Sequence, residues 1–296
     1  MAILVTGATG FLGRDLVEAL LAKGERVRII TRRGTCDSRI EVVQGDVSDE
    51  AVVERAMDGV SAVFHLATNS DHFAPYEEHY KTTVLGTQNI FAAAARHRVE
   101  KVVHMSTAAV TTKAKTNYTR AKAEAEAIAK SCWNVLDAPI VRAPLIYDES
   151  TLAKLARLSW LPFPYKRQRI HLAYKQSVIE ALIGALRYGG SDVYTVADRK
   201  PLLLTELYKA LASPRPMLWV PPQVIWLGIA AAYPAEAVCR LLRVRPPITP
   251  DFIRYAFEDR AFDISKAVSK LKYSPVDTLE VVKQFKSRDK AKGKIG

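Results

Sequence analysis

The chain has few cysteines, no long uninterrupted apolar run and no low-complexity stretch, and each scarcity excludes something. Cys36, Cys132 and Cys239 are odd in number and far apart. They make neither a disulfide framework nor a Cys-x-x-Cys pair, so no metal site is expected and a reducing, cytoplasmic setting is. The opening apolar run Ala2–Val5 ends at Thr6-Gly7, too early for a secretory leader. Lys and Arg exceed Asp and Glu by 43 to 31, a net charge of +12. These cations are dispersed, apart from Lys166-Arg167-Gln168-Arg169 and the tail from Lys283 to Lys294. No aromatic-interleaved basic stripe accompanies them, so a nucleic-acid partner is not expected. A solvated basic surface is the first reading; attraction to anionic lipid or a phosphate-bearing ligand is the second.

What is present is a chain of 296 residues, 49% hydrophobic, long enough for one large domain with a smaller lobe. The first half alternates β-branched runs with helical patterns, the signature of a parallel α/β sheet. Strands are expected at 3–5, 27–31, 41–43, 62–66, 101–105 and 138–142, with helices at 11–23, 50–57, 77–97 and 118–130 between them. Beyond Pro144 prolines become frequent and the alternation weakens, although a helix at 176–188 and a strand at 193–196 still read as sheet components. The expected organisation is a nucleotide-binding domain over 1–149 to which 172–197 returns, and a smaller lobe from 150–171 and 198–285. The basic tail 286–296 is expected to fray.

Residues 216–235 carry no charge and include Trp219, Val220, Val224, Ile225, Trp226, Leu227 and Ile229. A spanning helix needs roughly 20 apolar residues, and Pro216, Pro221, Pro222 and Pro234 interrupt this one. A buried or substrate-covering helix is the first expectation, peripheral membrane contact the second and a true span the third.

Thr6-Gly7-Ala8-Thr9-Gly10-Phe11-Leu12-Gly13 follows a strand and opens a helix. In that context Gly7 permits a tight turn, Gly10 lets backbone approach a pyrophosphate, and Gly13 allows close helix–sheet packing. Thr9, Phe11 and Leu12 belong to the same turn. The helix N-terminus offers N–H groups and a positive dipole end to phosphates. The cofactor is therefore a nicotinamide dinucleotide. A site for NAD(H) usually ends strand two on an acid that holds the ribose 2′-OH; here that strand ends Ile30-Thr31-Arg32-Arg33-Gly34. A guanidinium forks two donors onto a 2′-phosphate. NADP(H) is the expected cofactor and NAD(H) the alternative, with Arg32 the first candidate and Arg33 the second. Asp46 and Val47, after strand three, are placed at the adenine, with a surface turn or helix cap as the alternative for Asp46. Leu66, Ala67 and Thr68 end strand four at the carboxyl edge of the sheet, where ligands bind. His65 reads as a packed core histidine.

Tyr118-Thr119-Arg120-Ala121-Lys122 puts a phenol and an ammonium four residues apart on one helix face. A phenol of pKa near 10 needs a cation to serve in acid–base catalysis, and Lys122 is expected to supply it and to bond the cofactor ribose. Strand five ends in Ser106-Thr107, of which one hydroxyl can face the cofactor and polarise a substrate C–O group.

These motifs, TGATGFLG at 6–13, GDV at 45–47, FHLAT at 64–68, GT at 86–87, HMSTAAV at 104–110, YTRAKAEAE at 118–126 and VRAPLIY at 141–147, resemble the extended short-chain dehydrogenase/reductases, the NAD-dependent epimerase/dehydratase group. The resemblance implies an α/β, Rossmann-type doubly wound parallel sheet with a smaller, discontinuous C-terminal substrate lobe. It also implies that Thr107 is the catalytic hydroxyl and that Ala143, Pro144 and Leu145 contact the nicotinamide amide. Dimerisation through the long helices is common in the group, so a homodimer is expected as an option. Two departures stand out. Thr83 occupies a position that is often Asn, which puts an Asn-assisted proton relay out of reach, and Asp148 and Ser177 stand where Gly and Asp are usual. Residues 248–276 resemble the closing segment of 3β-hydroxysteroid and sterol-4-carboxylate dehydrogenases. The expected activity is therefore NADP(H)-dependent interconversion of a secondary alcohol and a ketone on a small hydrophobic substrate, steroid-like or hydroxyacyl-like. Nucleotide-sugar epimerase or dehydratase chemistry is one alternative, favoured by Arg167 and Arg169. A non-catalytic dinucleotide sensor or scaffold is the other.

Overall fold

The computed structural model describes residues 1–32, 34, 37–157, 168–211, 221–242, 244–246 and 248–291. Arg33, Cys36, Lys166, Arg167, residues 216–220 and the end of the basic tail lie outside the described residues.

Seven parallel strands form the central sheet. In chain order they are β1 Ala2–Thr6, β2 Val27–Thr31, β3 Ile40–Gln44, β4 Val60–His65, β5 Lys101–Thr107, β6 Ile140–Ala143 and a last strand, Val193–Thr195. Their spatial order is Val193–Thr195, β6, β5, β4, β1, β2, β3. All of β1 is buried, as expected of a central parallel strand covered on both faces. On one face it packs with α1 Gly13–Leu21 and the helix Lys175–Tyr188, through Leu16, Val17, Leu20, Val178 and Leu182. On the other it meets α2 Glu50–Met57, whose Val53, Ala56 and Met57 pack with Leu4, Val63, Ile90 and Phe91. The chain runs outward from β1 through β2 to β3 and then returns to the opposite side of β1 as β4. Ligands bind at such a switch point, beyond the carboxyl ends of the strands. Register places Thr6 beside both Ile30 and His65, and Thr107 beside Ala143.

The structure departs from the sequence expectations in three places. The helix expected at 77–97 is a short α3, Tyr76–His79, a π-helical turn over Tyr80–Leu85, and then α4, Gly86–Arg96. Within it the Thr87 hydroxyl donates to the Thr83 carbonyl (2.6 Å), and such back-bonding perturbs an α-helix. Secondly, the segment assigned to the lobe also serves the sheet. Ala267 and Leu271 of the helix Ser265–Leu271, with Tyr273, pack into the core that holds β1. Asp198, fully buried, joins the two parts by accepting bonds from Tyr147 (2.8 Å) and Thr278 (2.5 Å) hydroxyls and the Tyr174 N–H (2.9 Å). Thirdly, Pro234 does not break the apolar segment: one helix runs Pro222–Leu241. Proline deprives the carbonyl four residues earlier of its bond; that residue is Ala230, which is exposed, so water can satisfy it. Nor is this helix buried: among its described residues only Ile229 and Ala232 are. Among the described residues no helix is long and apolar enough to cross a membrane.

Candidate active site

A cavity of about 760 Å³ opens along the carboxyl edge of the sheet, within the range of small-molecule and cofactor pockets. The glycine turn forms its floor, and Thr9, Gly10, Phe11, Leu12 and Gly13 all border it. Gly7 has φ +69°, and a Cβ there would lie 2.8 Å from the Ala67 nitrogen. At Gly13 a Cβ would lie 2.2 Å from the Gly7 carbonyl oxygen. This glycine is therefore required by the turn folding back on the first turn of α1, which refines the helix–sheet role expected from sequence. The cradle suits a pyrophosphate: its backbone approaches closely and the α1 N-terminus faces it. Arg14, directly after Gly13, also borders the cavity, a cation that the motif's spacing alone did not single out.

Arg32, at the end of β2, borders the cavity with its side chain 80% exposed and its Nε 3.9 Å from the Asp46 carboxylate. Asp46 also accepts from the Ser48 N–H (3.0 Å). Val47 lies beside it, its carbonyl accepting from the Asn89 side chain (3.1 Å). Leu66, Ala67 and Thr68 form the next wall. Thr83 does not border the cavity; its hydroxyl lies beneath that wall, 3.0 Å from the Thr68 hydroxyl and accepting from the Asn69 N–H (3.2 Å). Thr82 borders the cavity instead. His65 is buried between the Thr6 (2.7 Å) and Thr87 (2.9 Å) hydroxyls, and burial, with Lys122 adding, lowers it to about 3. It is a neutral core residue.

Ala143 and Pro144 border the cavity, but Leu145 is 52% exposed and turned away. Side chains alternate along extended backbone, so Ile146, one residue further on, takes the inward place in the short strand Leu145–Tyr147.

The reactive groups sit where β5 ends and α5, Asn117–Ser131, begins. Thr116 caps this helix through the Thr119 N–H (3.3 Å), setting Tyr118 in its first turn and Lys122 one turn on. Alternation along β5 separates the hydroxyl pair. Thr107 borders the cavity together with Tyr118, whereas Ser106 donates to Glu126 (2.6 Å). Burial, reinforced by Tyr255 and opposed by Thr107, pushes the Tyr118 phenol up to about 12. Lys122 is not among the groups that move it. The expectation that Lys122 lowers this phenol is thus corrected: burial dominates, and the ammonium donates to the Met105 carbonyl (2.6 Å). Burial also pulls Lys122 down to about 8, with Glu126 partly opposing.

Glu126 locks this corner. Buried on α5, it accepts from Arg142 of β6 at 2.8 and 2.5 Å and from Ser106 of β5. Burial alone would raise its pKa, but these bonds hold it below the ordinary carboxylate range. Breaking a buried pair by removing one partner costs roughly 3–5 kcal/mol. Because Arg142 keeps some water access, Glu126→Gln should cost about 2–3 kcal/mol in urea denaturation. A carboxylate held low stabilises the fold above its unfolded pKa and loses that effect as pH falls. The gap between wild type and variant should be full above pH 4.5 and shrink below it.

Against Tyr118 lies a group of rings that the motifs did not reveal. His72 is 4.7 Å from Tyr118 between ring centroids, 5.8 Å from both Phe252 and Tyr255, and Phe73 is 4.7 Å from Phe252. Phe252 and Tyr255 come from the helix Pro250–Phe257. Glu258, which follows it, accepts from the Lys113 (2.7 Å) and Ala114 (3.2 Å) backbone N–H groups just beyond β5.

Residues 3–134 match the NAD dependent epimerase/dehydratase family. Among curated relatives, a 2-alkyl-3-oxoalkanoate reductase from Stenotrophomonas maltophilia is 35% identical over 38% of this chain and 36% of its own length. Sterol demethylase protein B from Methylococcus capsulatus is 38% identical over 36% of this chain and 34% of its own. The alignments thus span about a third of each relative. Over whole chains, the enzyme WbmG of Bordetella bronchiseptica, solved with NAD and UDP, superposes with a TM-score of 0.75 at 18% identity, covering 99% of this chain and 96% of that one. The shared fold therefore extends well beyond residues 3–134. Residues 3–134 belong to the NAD dependent epimerase/dehydratase family, the extended short-chain dehydrogenase/reductase group whose motifs they carry.

Proposed function

We propose that the chain is an NADP(H)-dependent oxidoreductase that interconverts a ketone and a secondary alcohol on a hydrophobic substrate. The observation that carries this reading is the convergence of Thr107, Tyr118 and Lys122 on the cavity that begins at the glycine turn, with aromatic rings against Tyr118. A dinucleotide bound there would supply the hydride. Tyr118, protonated at neutral pH, donates its proton to the carbonyl oxygen, and Thr107 orients that oxygen. Lys122, held by the Met105 carbonyl at the edge of the same cavity, is placed to bond the cofactor ribose. A protonated phenol suits the reductive direction. The aromatic group of His72, Phe73, Phe252 and Tyr255 supports an apolar substrate. Names of relatives such as 2-alkyl-3-oxoalkanoate reductase and sterol demethylase protein B point the same way. A sugar-nucleotide diphosphate is less well served, because Arg169 is engaged by Asp259 through two bonds, at 2.9 and 2.6 Å.

The test is turnover of NADPH and NADH against panels of apolar ketones, 3-oxoacyl compounds, sterols and sugar nucleotides. Turnover with sugar nucleotides alone would replace this reading by epimerase or dehydratase chemistry. Cofactor binding without turnover of any panel would leave a sensor. The cofactor preference rests on Arg32. A charge-assisted bond is worth roughly 1.5–3 kcal/mol, and exposure puts this one at the lower end. Arg32→Ala should therefore weaken NADPH about tenfold in a fluorescence titration and leave NADH unchanged. Equal loss for both would remove Arg32 from the 2′-phosphate.

A further inference from the structure

We propose that the helix Pro222–Leu241 docks this protein on the surface of an anionic phospholipid bilayer. Its inner side, Ile225, Ile229 and Ala232, packs on Ile253 and Phe257 of the helix Pro250–Phe257. Its outer side is the unusual one. Trp226 is 66% exposed, Leu227 69% and Leu241 83%, with Val224, Tyr233 and Val238 exposed beside them. From Pro222 to Ala235 there is no Asp, Glu, Lys or Arg. Such an exposed apolar face in water marks an interaction site. Trp and Tyr favour the headgroup boundary of a bilayer.

The helix is not long and apolar enough to span, so it lies in the plane of the interface. Charge selects the occupant. Beyond the uncharged stretch the sequence places Glu236 and then Arg240 and Arg243, and the whole chain carries +12. An anionic membrane attracts such a protein by about 1 kcal/mol per Lys or Arg near its surface. A second copy, also at +12, repels it. The location has a use. The helix Pro250–Phe257 bridges the docking helix to His72 beside Tyr118 through Phe252 and Tyr255. Arg245 also ties to Asp71 (3.2 Å) and Glu78 (2.6 Å), flanking the same segment. A substrate dissolved in the bilayer would reach the aromatic group from a face already in lipid; this last step alone rests on the proposed function.

The full-length protein is to be floated with vesicles of phosphatidylcholine, with and without phosphatidylglycerol, at low and high salt. Binding is expected to the anionic vesicles, weakened by salt. Trp226→Glu/Leu227→Glu should lower the partition coefficient at least about tenfold, with NADPH affinity unchanged. Tryptophan emission should be quenched by brominated lipid in the wild type, and much less in Trp226→Phe, a mild substitution that covers the case where the double variant fails to fold. Failure of the wild type to float on anionic vesicles overturns the proposal. So does equal binding of the double variant, or unchanged quenching in Trp226→Phe. A wild-type dimer that the double variant dissociates, without vesicle binding by either, would assign the face to a second copy instead. Reduction of a water-soluble ketone by both proteins is read separately, so loss of docking and failure of the oxidoreductase reading remain distinguishable.

Discussion

Tyr118→Phe should lower ketone reduction by roughly 10²–10⁴-fold, the usual contribution of a general acid, while NADPH binding stays within about twofold of wild type. The substitution removes one oxygen and leaves the ring against His72. The Thr107 hydroxyl, which accepts from the Ala109 N–H (3.2 Å), keeps its place. Steady-state kinetics with a saturating ketone, paired with a fluorescence titration, separates the two effects. A fall in kcat at constant cofactor affinity identifies Tyr118 as the group that touches the reacting oxygen. A variant retaining most of its turnover would remove Tyr118 from the chemistry and leave Thr107 or water as the proton source.

Gly13→Ala should weaken NADPH binding about 100-fold, or ~2.8 kcal/mol. An added Cβ would stand 2.2 Å from the Gly7 carbonyl oxygen and 2.8 Å from the Ala8 Cα, both backbone. No rotamer change relieves such a clash, so the turn must open and its N–H groups leave the phosphate position. The thermal midpoint should fall as well, since α1 begins at this residue. Gly190→Ala is the matched control, because a Cβ there meets nothing within 4 Å. The control should bind NADPH like the wild type. Affinity within about threefold of wild type in Gly13→Ala would show that the turn is not the pyrophosphate cradle.

Where the fold and the candidate site depend on local pattern, they are legible in the sequence. The strand, glycine turn and helix of 2–21 are contiguous, and the phenol and ammonium of Tyr118 and Lys122 share a helix face by spacing alone. Alternation explains the near misses. Leu145 and Ile146 differ by one residue, and in extended backbone that is the difference between solvent and cavity. Thr83, expected at the cofactor, supports the Thr68 wall from below and does not border the cavity.

The amino-acid sequence by itself determined the order of the parallel strands along the chain, the glycine turn and the pairing of Tyr118 with Lys122. Each rests on periodicity or on a residue's own conformational range. Tertiary structure alone decided what these groups experience. Lys122 bonds the Met105 carbonyl, Glu126 joins Ser106 to Arg142, and His72 meets Tyr118 across 46 positions of sequence. It also decided that the apolar helix Pro222–Leu241 shows most of its surface to solvent. Desolvation and exposure depend on which distant elements pack together, and no local pattern in the chain records that.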